Sequence, residues 1–279
     1  MKLGFPVIDL HAHLRNNIPF HTKIAKEAGI DVVVYMANCS PPLDNLETIK
    51  KSLKEKRYCK AIPVSAITKN LDGKKLVEVD EIKPYVAGFS DDGKYLKDLG
   101  LLEEILIKEV LVLVHCSPSY KIGSKKPYLE TKFIERYLDF LDKNSKKIRG
   151  WLHIQHISKR ESVKLIEEAK KKGLKLTCET CPHYFTYSKE DLDTRVNPPL
   201  GTKQDVLAVK KGLAEGIIDV IASDYAPTPR KTGIAGFQSF LPISYGLVLE
   251  GILTKKQLRE KLFLNPKKII GKGGYKLKL

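Results

Sequence analysis

Residues 9–15 (DLHAHLR) hold two histidines that are two positions apart and directly follow a short apolar run. In an extended strand, side chains at positions i and i+2 point to the same face, so His11 and His13 can bind one cation together. Neutral imidazole is a common ligand of transition metals. Arg15 follows at the next alternation and adds a positive charge on the same side. This stretch alone is compatible with a metal site and with a chance spacing of two histidines.

Apolar, β-branched runs typical of buried strands alternate along the chain with amphipathic segments typical of helices. The strand-like runs are residues 6–10, 32–35, 61–65, 85–89, 110–114, 151–154, 174–177 and 219–222. The helix-like segments include residues 43–56, 96–108, 126–145, 161–172 and 203–215. Alternation of this kind predicts right-handed βαβ units and a parallel sheet. Eight units predict an α/β fold, a closed (β/α)8 TIM barrel, as a single catalytic domain over residues 1–279. We expect further helix from residue 247 and a loosely held tail from residue 271.

Polar residues suited to chemistry follow seven of the eight strand-like runs. They are His11 with His13, Asn38, Asp91 with Asp92, His115, His156, Glu179 and Asp224. In a parallel barrel the carboxyl ends of all strands lie at one face, and that face holds the active site. We therefore expect these scattered residues to converge on one metal site.

The candidate ligands are four histidines and two carboxylates, a nitrogen-and-oxygen set that suits Zn²⁺, with Mn²⁺ or Co²⁺ as substitutes. They are His11, His13, His115, His156, Asp224 and one member of the Asp91–Asp92 pair. One tetrahedral ion does not need so many ligands, so two ions that share a bridging carboxylate explain the number better. Such a pair would polarise a carbonyl and supply hydroxide at neutral pH, which is metal-assisted hydrolysis. Asp224 could then transfer a proton to a leaving nitrogen.

Nine stretches occur in the order typical of one enzyme superfamily. They are residues 9–15 (DLHAHLR), 36–39 (MANC), 89–93 (FSDDG), 115–116 (HC), 153–158 (HIQHIS), 179–183 (ETCPH), 197–200 (NPPL), 221–227 (IASDYAP) and 234–238 (IAGFQ). Together they resemble the amidohydrolase superfamily and, within it, the dihydroorotases that use an aspartate as the bridging ligand.

The resemblance implies a role for each matching residue. Two zinc ions would be bound, one by His11, His13 and Asp224 and the other by His115 and His156, with Asp92 as the bridge. The substrate-binding residues would be Arg15 and Asn38 for the carboxylate of dihydroorotate, and Asn197, Thr232 and Gly233 for the ring amides. Asp224 would be the general acid and base in the reversible opening of the ring to N-carbamoyl-L-aspartate, a step of pyrimidine biosynthesis.

Two alternatives within this superfamily stay open. The first is another cyclic amidase, similar to hydantoinase or allantoinase. Those enzymes do not require an arginine for a ring carboxylate, and their bridge is a carboxylated lysine. Residues 86–90 contain no lysine, and Arg15 is present, so both points favour a dihydroorotase. The second alternative is a non-catalytic barrel that serves as a scaffold for aspartate carbamoyltransferase, although every metal-ligand position is filled.

The chain departs from the dihydroorotase pattern in two respects. The family places a histidine four residues after the catalytic aspartate, where this chain has Thr228. Arg230 or Lys231 could bind the substrate carboxylate instead, in which case Arg230→Ala raises KM far more than Thr228→Ala does. The flanking strands of a β-sandwich are absent, so we expect a short form that assembles with itself or with aspartate carbamoyltransferase.

Composition narrows the function further. The net charge is +16, but the lysines are interleaved with glutamates in helical segments, as on the solvated surfaces of thermophile proteins. We find no basic aromatic motif of a nucleic-acid module and no apolar run long enough to span a bilayer, so we expect neither nucleic acid nor membrane as a partner. The first residues lead straight into the first strand, and five cysteines fit reduced thiols, so we expect a cytoplasmic protein.

Other histidines and cysteines carry weaker signals. Cys178 and Cys181 have redox or zinc-knuckle spacing without a second pair, and we interpret them as structural. His183 is expected beside the metal ligands, and His21 on the surface. We expect His153 to face away from the metals or to support them.

Overall fold

The computed structural model describes residues 2–94, 96–116, 130–227 and 233–278. The strands in this part of the chain are β1 (Ile8–Ala12), β2 (Val32–Tyr35), β3 (Lys60–Pro63), β4 (Leu111–Val114), β5 (Trp151–Ile154), β6 (Leu176–Thr180) and β7 (Val220–Ile221). All pairings are parallel, in the orders β1-β2-β3 and β4-β5-β6-β7.

Residues 86–89 fill the gap between β3 and β4. The Ala87 amide donates to the Pro63 carbonyl (2.9 Å), and the Phe89 amide donates to the Leu111 carbonyl (2.9 Å). Phe89 forms isolated bridges on both sides, so the run predicted at 85–89 occupies the fourth position of the barrel without being a regular strand.

The seam between the last and the first strand is also closed. Ala12 at the end of β1 pairs with Tyr225, and the His13 amide donates to the Tyr225 carbonyl (2.7 Å). The eight positions therefore form a closed α/β barrel, which confirms the predicted fold class.

Helices follow most strands and cover the outside of the barrel. They are α1 (Ile18–Glu27), α2 (Leu46–Lys54), α3 (Val79–Ile82), α4 (Leu99–Leu106), α5 (Glu130–Asn144), α6 (Arg160–Lys171), α7 (Pro182–Thr186), α8 (Lys203–Ala214), α9 (Phe237–Leu249), α10 (Lys255–Arg259) and α11 (Asn265–Lys272). Short 3-10 turns lie at Lys69–Leu71 and Lys83–Tyr85, and a π-helical turn at Glu260–Leu264 joins α10 to α11. Several helices begin at a side-chain cap. Thr202 and Asp205 form a capping box at the start of α8, for example, and this satisfies amide groups that the helix itself cannot.

The strands divide the core into two layers. In β2, Val32 and Val34 pack with the cluster inside the barrel, whereas Val33 and Tyr35 pack with the cluster beneath the helices. Both layers are apolar because a strand with helices outside and a filled barrel inside is buried on both faces. Among the described residues, no helix is both long enough and apolar enough to cross a bilayer.

The C-terminal tail covers the amino-terminal end of the barrel interior. Tyr275 and Leu277 pack against the interior cluster together with Ile269 and Ile270 of α11. A Cβ added at Gly273 would come within 2.7 Å of the Ala87 carbonyl oxygen, so the backbone lies directly against the barrel at that point. The expectation of a loosely held tail from residue 271 is therefore wrong, because apolar side chains beyond the last helix pack against the core at this end of the barrel.

Candidate active site

The polar residues that follow the strands converge at the carboxyl end of the barrel. His13 Nε2 lies 3.2 Å from Asp224 Oδ1 and 3.4 Å from Asp92 Oδ2. His11 Nε2 lies 3.4 Å from Asp92 Oδ1 and 3.5 Å from Asp224 Oδ1. His11 in β1 and His13 just after it thus direct the same ring nitrogen at the same two carboxylates.

A second group of possible ligands adjoins the first through Asp92. His115 Nδ1 lies 3.6 Å from Asp92 Oδ1 and 2.6 Å from His156 Nε2. One ligand atom each of Asp92, His115 and His156 lies within 4.8 Å of the other two, and His11, His13 and Asp224 form a group of the same size. Asp92 lies between the groups, where a bridging carboxylate would stand.

The two neighbouring aspartates have separate roles. Asp91 accepts hydrogen bonds from the Ile67 amide (2.8 Å), the Thr68 amide (3.1 Å) and the Thr68 hydroxyl (2.5 Å). Asp92 faces the histidines instead. The structure therefore turns Asp92, and not Asp91, toward the candidate metal centre.

His11 is held from behind by a chain of buried polar groups. Its Nδ1 lies 2.6 Å from Glu179 Oε1, and Glu179 Oε2 lies 3.1 Å from His153 Nε2. His153 Nδ1 in turn lies 2.8 Å from the Thr177 hydroxyl. A carboxylate at Nδ1 requires that nitrogen to carry a proton, which leaves Nε2 of His11 as the atom that would bind a metal.

His13 is oriented in the same way from the other side. Its Nδ1 lies 2.9 Å from Asn38 Oδ1, and Asn38 Nδ2 donates to Asp92 Oδ2 (3.2 Å). The Asn38 carbonyl also accepts a hydrogen bond from Arg15 Nη1 (3.0 Å). Asn38 thus links His13, Asp92 and the Arg15 guanidinium through hydrogen bonds.

Three residues of the candidate site adopt a left-handed backbone conformation although they are not glycine. Arg15, His156 and Asp224 have φ values of 52°, 41° and 46°. Strained backbone of this kind persists only where the surrounding structure requires it, and it clusters at functional sites. Beside Asp224, the Ser223 amide and hydroxyl both donate to the buried Asp9 carboxylate, which holds the closing segment against β1.

The carboxylates of the site are held ionised. Burial alone would raise the pKa of Asp92, but His13, His11 and His115 outweigh it and keep this pKa well below the usual range. Burial would likewise raise the pKa of Asp224, but His11 and His13 outweigh it and lower this pKa below its usual range. Burial and the neighbouring His115 lower the pKa of His156 to about 3, so its imidazole is neutral at physiological pH. Burial would lower the pKa of His11, but Glu179, Asp224 and Asp92 outweigh it and hold this pKa well above its usual range, so a divalent ion would displace a proton on binding to His11.

The donor set fits divalent metal. Two buried atoms of candidate ligands, Asp92 Oδ1 and His156 Nδ1, have no hydrogen-bond partner in the described part of the chain. Buried polar atoms normally have a partner, and a metal ion supplies one. Imidazole nitrogen and carboxylate oxygen suit Zn²⁺, Mn²⁺ or Co²⁺.

Comparison with known proteins assigns the family. The chain is 34% identical to the dihydroorotase of Acetivibrio thermocellus, over 97% of this chain and 74% of that protein. It is 31% identical to the dihydroorotase of Aquifex aeolicus, over 95% of this chain and 72% of that protein. The chain belongs to the dihydroorotase family. It is therefore an enzyme of the class that hydrolyses cyclic amides, and it spans about three quarters of the length of these relatives. A search against protein-family profiles found no match.

Solved structures agree with the fold. An L-hydantoinase from Arthrobacter aurescens superposes with a TM-score of 0.80 at 20% identity, over 95% of this chain and 70% of that one. A dihydroorotase from Saccharomyces cerevisiae, solved with 5-fluoroorotic acid, gives a TM-score of 0.77 at 17% identity, over 97% of this chain and 85% of that one. Both likenesses support the closed (β/α)8 barrel.

The remaining predicted site residues of this dihydroorotase-family chain lie at the same rim or outside the described part. Asn197 Nδ2 lies 3.0 Å from His115 Nε2, and the Gly233 amide donates to the Arg195 carbonyl (2.9 Å). Thr232, predicted to bind a ring amide, falls outside the described residues, as do Thr228 and the two alternative carboxylate-binding residues, Arg230 and Lys231.

Two histidines differ from or refine the expectations. His21 is buried, with Nδ1 2.9 Å from the Tyr225 hydroxyl, so the prediction of a surface position is wrong. It belongs to the face of α1 that packs on the barrel, which the sequence around it did not reveal. His153 contacts Glu179 and so supports His11. Sequence reasoning gave Glu179 no role, although its place at the end of β6 marked it as a site residue.

Proposed function

We propose that this chain is a zinc-dependent dihydroorotase that reversibly hydrolyses L-dihydroorotate to N-carbamoyl-L-aspartate, in de novo pyrimidine biosynthesis in the cytoplasm. One ion would be held by His11, His13 and Asp224, the other by His115 and His156, with Asp92 shared. Two bound Zn²⁺ ions would supply Lewis-acid polarisation of the ring carbonyl and activation of a water molecule. Membership of the dihydroorotase family and the convergence of these six side chains support the proposal.

Arg15 is the residue that most favours dihydroorotate over an uncharged ring. Its guanidinium is fixed by the Asn38 carbonyl, and its buried Nε has no hydrogen-bond partner in the described part of the chain. A substrate carboxylate would give this nitrogen an acceptor and would form a charge-assisted, bidentate contact. Asn38 would contribute to the same contact.

Asp224 is proposed to move the proton. Its ionised carboxylate accepts a proton from the attacking water as the bond from water oxygen to ring carbonyl carbon forms. It then donates this proton to the ring nitrogen as the carbon–nitrogen bond breaks. The strained backbone of Asp224 and the Ser223–Asp9 contact hold the carboxylate for this transfer. Asn197 and Gly233, with Thr232, would orient the ring amides.

The deciding experiment measures hydrolysis of L-dihydroorotate and of hydantoin by the zinc-loaded protein. We expect opening of dihydroorotate and its loss in Asp224→Asn. In Arg15→Gln, KM for dihydroorotate should rise by roughly 10- to 100-fold, because a hydrogen bond to a charged group contributes about 1.5–3 kcal/mol. Arg57→Gln is the matched control, since Arg57 also has a buried Nε without a partner among the described residues but donates to the backbone carbonyls of Ser52 and Leu53.

One result would contradict the proposal, and another would require a test with a partner enzyme. Faster hydrolysis of hydantoin than of dihydroorotate would assign another cyclic amidase. No hydrolysis of either compound with both metals bound would call for the same assay with aspartate carbamoyltransferase added, since a homo-oligomer or a complex with that enzyme is the assembly we propose. Restored activity in the mixture would then show that the barrel needs its partner.

A further inference from the structure

A third group of metal-binding side chains adjoins the proposed zinc pair. Cys181 precedes α7, His183 is the second residue of this helix, and Asp224 follows β7. One ligand atom of each residue lies within 4.8 Å of the other two. Cys181 is fully buried and His183 is 5% exposed, so these groups meet inside the protein.

His183 provides an independent indication of a ligand. Its Nε2 is buried and has no hydrogen-bond partner among the residues that the structure describes. An imidazole that is 95% buried with an unpartnered nitrogen forfeits a hydrogen bond that such groups almost always make. A metal ion at this nitrogen would remove the deficit.

We propose that Cys181, His183 and Asp224 form a third cation site, selective for thiophilic divalent ions such as Zn²⁺ and Cd²⁺, whose occupation inhibits the enzyme. Sulfur, imidazole nitrogen and carboxylate oxygen together suit Zn²⁺, Cd²⁺ and Co²⁺, and exclude Mg²⁺ and Ca²⁺, which prefer oxygen alone. Binding displaces the thiol proton of Cys181 to solvent and forms one metal–sulfur bond, with no change of oxidation state.

Inhibition follows from the residue that the sites share. The contacts of Asp224 with His11 and His13 both run through Oδ1. A third ion bound to this carboxylate would neutralise its charge and occupy a lone pair, so Asp224 could no longer accept the proton of the attacking water. This consequence rests on the proposed function, whereas the binding itself does not.

The second thiol of the pair offers a matched control. Cys178 is also fully buried, but its Sγ donates to the Ile217 carbonyl (3.4 Å) and is not in the cluster. The two cysteines of the C-x-x-C spacing therefore occupy different environments. Replacing either by serine removes one buried thiol, but only the Cys181 change removes a proposed ligand.

The test is a titration of the metal-free protein with Co²⁺, in which the thiolate-to-cobalt charge-transfer absorption band is measured after each addition. The proposed zinc pair has nitrogen and oxygen ligands alone, so the first two equivalents should give no thiolate band. A third equivalent should give the band in the wild type and in Cys178→Ser, but not in Cys181→Ser. His183→Asn, which keeps the thiol, should raise the cobalt concentration needed for the band by about tenfold or more.

Excess Zn²⁺ is then added to the zinc-loaded enzyme. Activity should fall in the wild type and in Cys178→Ser, and the inhibitory concentration should rise by about tenfold or more in Cys181→Ser and Cys181→Ala. A band that persists in Cys181→Ser, or no band at all, would overturn the site. A band without zinc inhibition would overturn the inhibitory role. Absence of dihydroorotase activity would refute the proposed function, and the cobalt band would still decide the site.

Discussion

Replacement of Glu179 by glutamine tests whether the buried groups behind His11 set its affinity for metal. Both carboxylate oxygens are engaged, one by His11 Nδ1 (2.6 Å) and the other by His153 Nε2 (3.1 Å). Glutamine retains a single acceptor oxygen, so one of the two imidazoles loses its acceptor. Burial would raise the pKa of Glu179, but His11 and His153 outweigh it and hold this pKa at about 2, so the wild-type group is charged at neutral pH.

The size of the effect follows from the lost contact. A hydrogen bond to a charged group contributes about 1.5–3 kcal/mol, and about 2 kcal/mol corresponds to a roughly 30-fold change in a binding constant. We therefore expect Glu179→Gln to bind Zn²⁺ about 30-fold more weakly. Residues that orient a metal-bound histidine usually change affinity by about 10- to 100-fold, which brackets this value.

The assay is competition for Zn²⁺ between the metal-free protein and a chromophoric chelator. Thr177→Val should weaken binding by less than Glu179→Gln, because it removes only the hydroxyl at the far end, next to His153 Nδ1. Ser52→Ala serves as a control for general loss of packing, since this buried hydroxyl bonds to Tyr35 outside the site. Thermal unfolding of the metal-free proteins checks that each variant is folded. If Glu179→Gln binds Zn²⁺ within threefold of the wild type, the reasoning is refuted.

Three further predictions concern metal binding and the stability of the fold. Asp92→Asn should lower the amount of bound metal, measured by elemental analysis. Asp91→Asn should retain the metal but lose about 1–3 kcal/mol of unfolding free energy in urea, because Asp91 binds backbone amides. Equal metal loss in the two variants would contradict this division. Tyr275→Ala should destabilise the protein by about 1–3 kcal/mol, more than the control Tyr58→Ala, which removes a more exposed ring. Equal urea midpoints for the two variants would show that packing of the tail contributes nothing to stability. Gly88→Ala should lower Tm strongly, since its Cβ would lie 2.6 Å from the Leu111 carbonyl oxygen; an unchanged Tm would show that the barrel yields there.

Much of the site could be predicted because barrel geometry converts sequence position into spatial position. Each polar residue directly after an apolar run stands at one rim, whatever the distance along the chain. His115 and His156 are 41 residues apart in sequence, yet His115 Nδ1 lies 2.6 Å from His156 Nε2. This rule needs only the strand ends, which periodicity marks well.

What could not be predicted depends on neighbours across strands. The contact between His153 and Glu179 follows from the register of β5 and β6, in which His153 pairs with Thr177. Hydrophobic periodicity does not define that register. The buried position of His21 depends likewise on which face of α1 packs on Tyr225. The packing of the tail depends on how much of the barrel interior α11 leaves uncovered.

The closed seam also dictates when the site can come into existence during synthesis. His13 and Asp224 meet although 211 positions separate them along the chain. A ribosome-bound chain from which Asp224 has not yet emerged has both His11 and His13 but lacks the carboxylate that completes their group. The metal centre is thus among the last features to form, and an ion bound there reports that nearly the whole barrel has been made and closed.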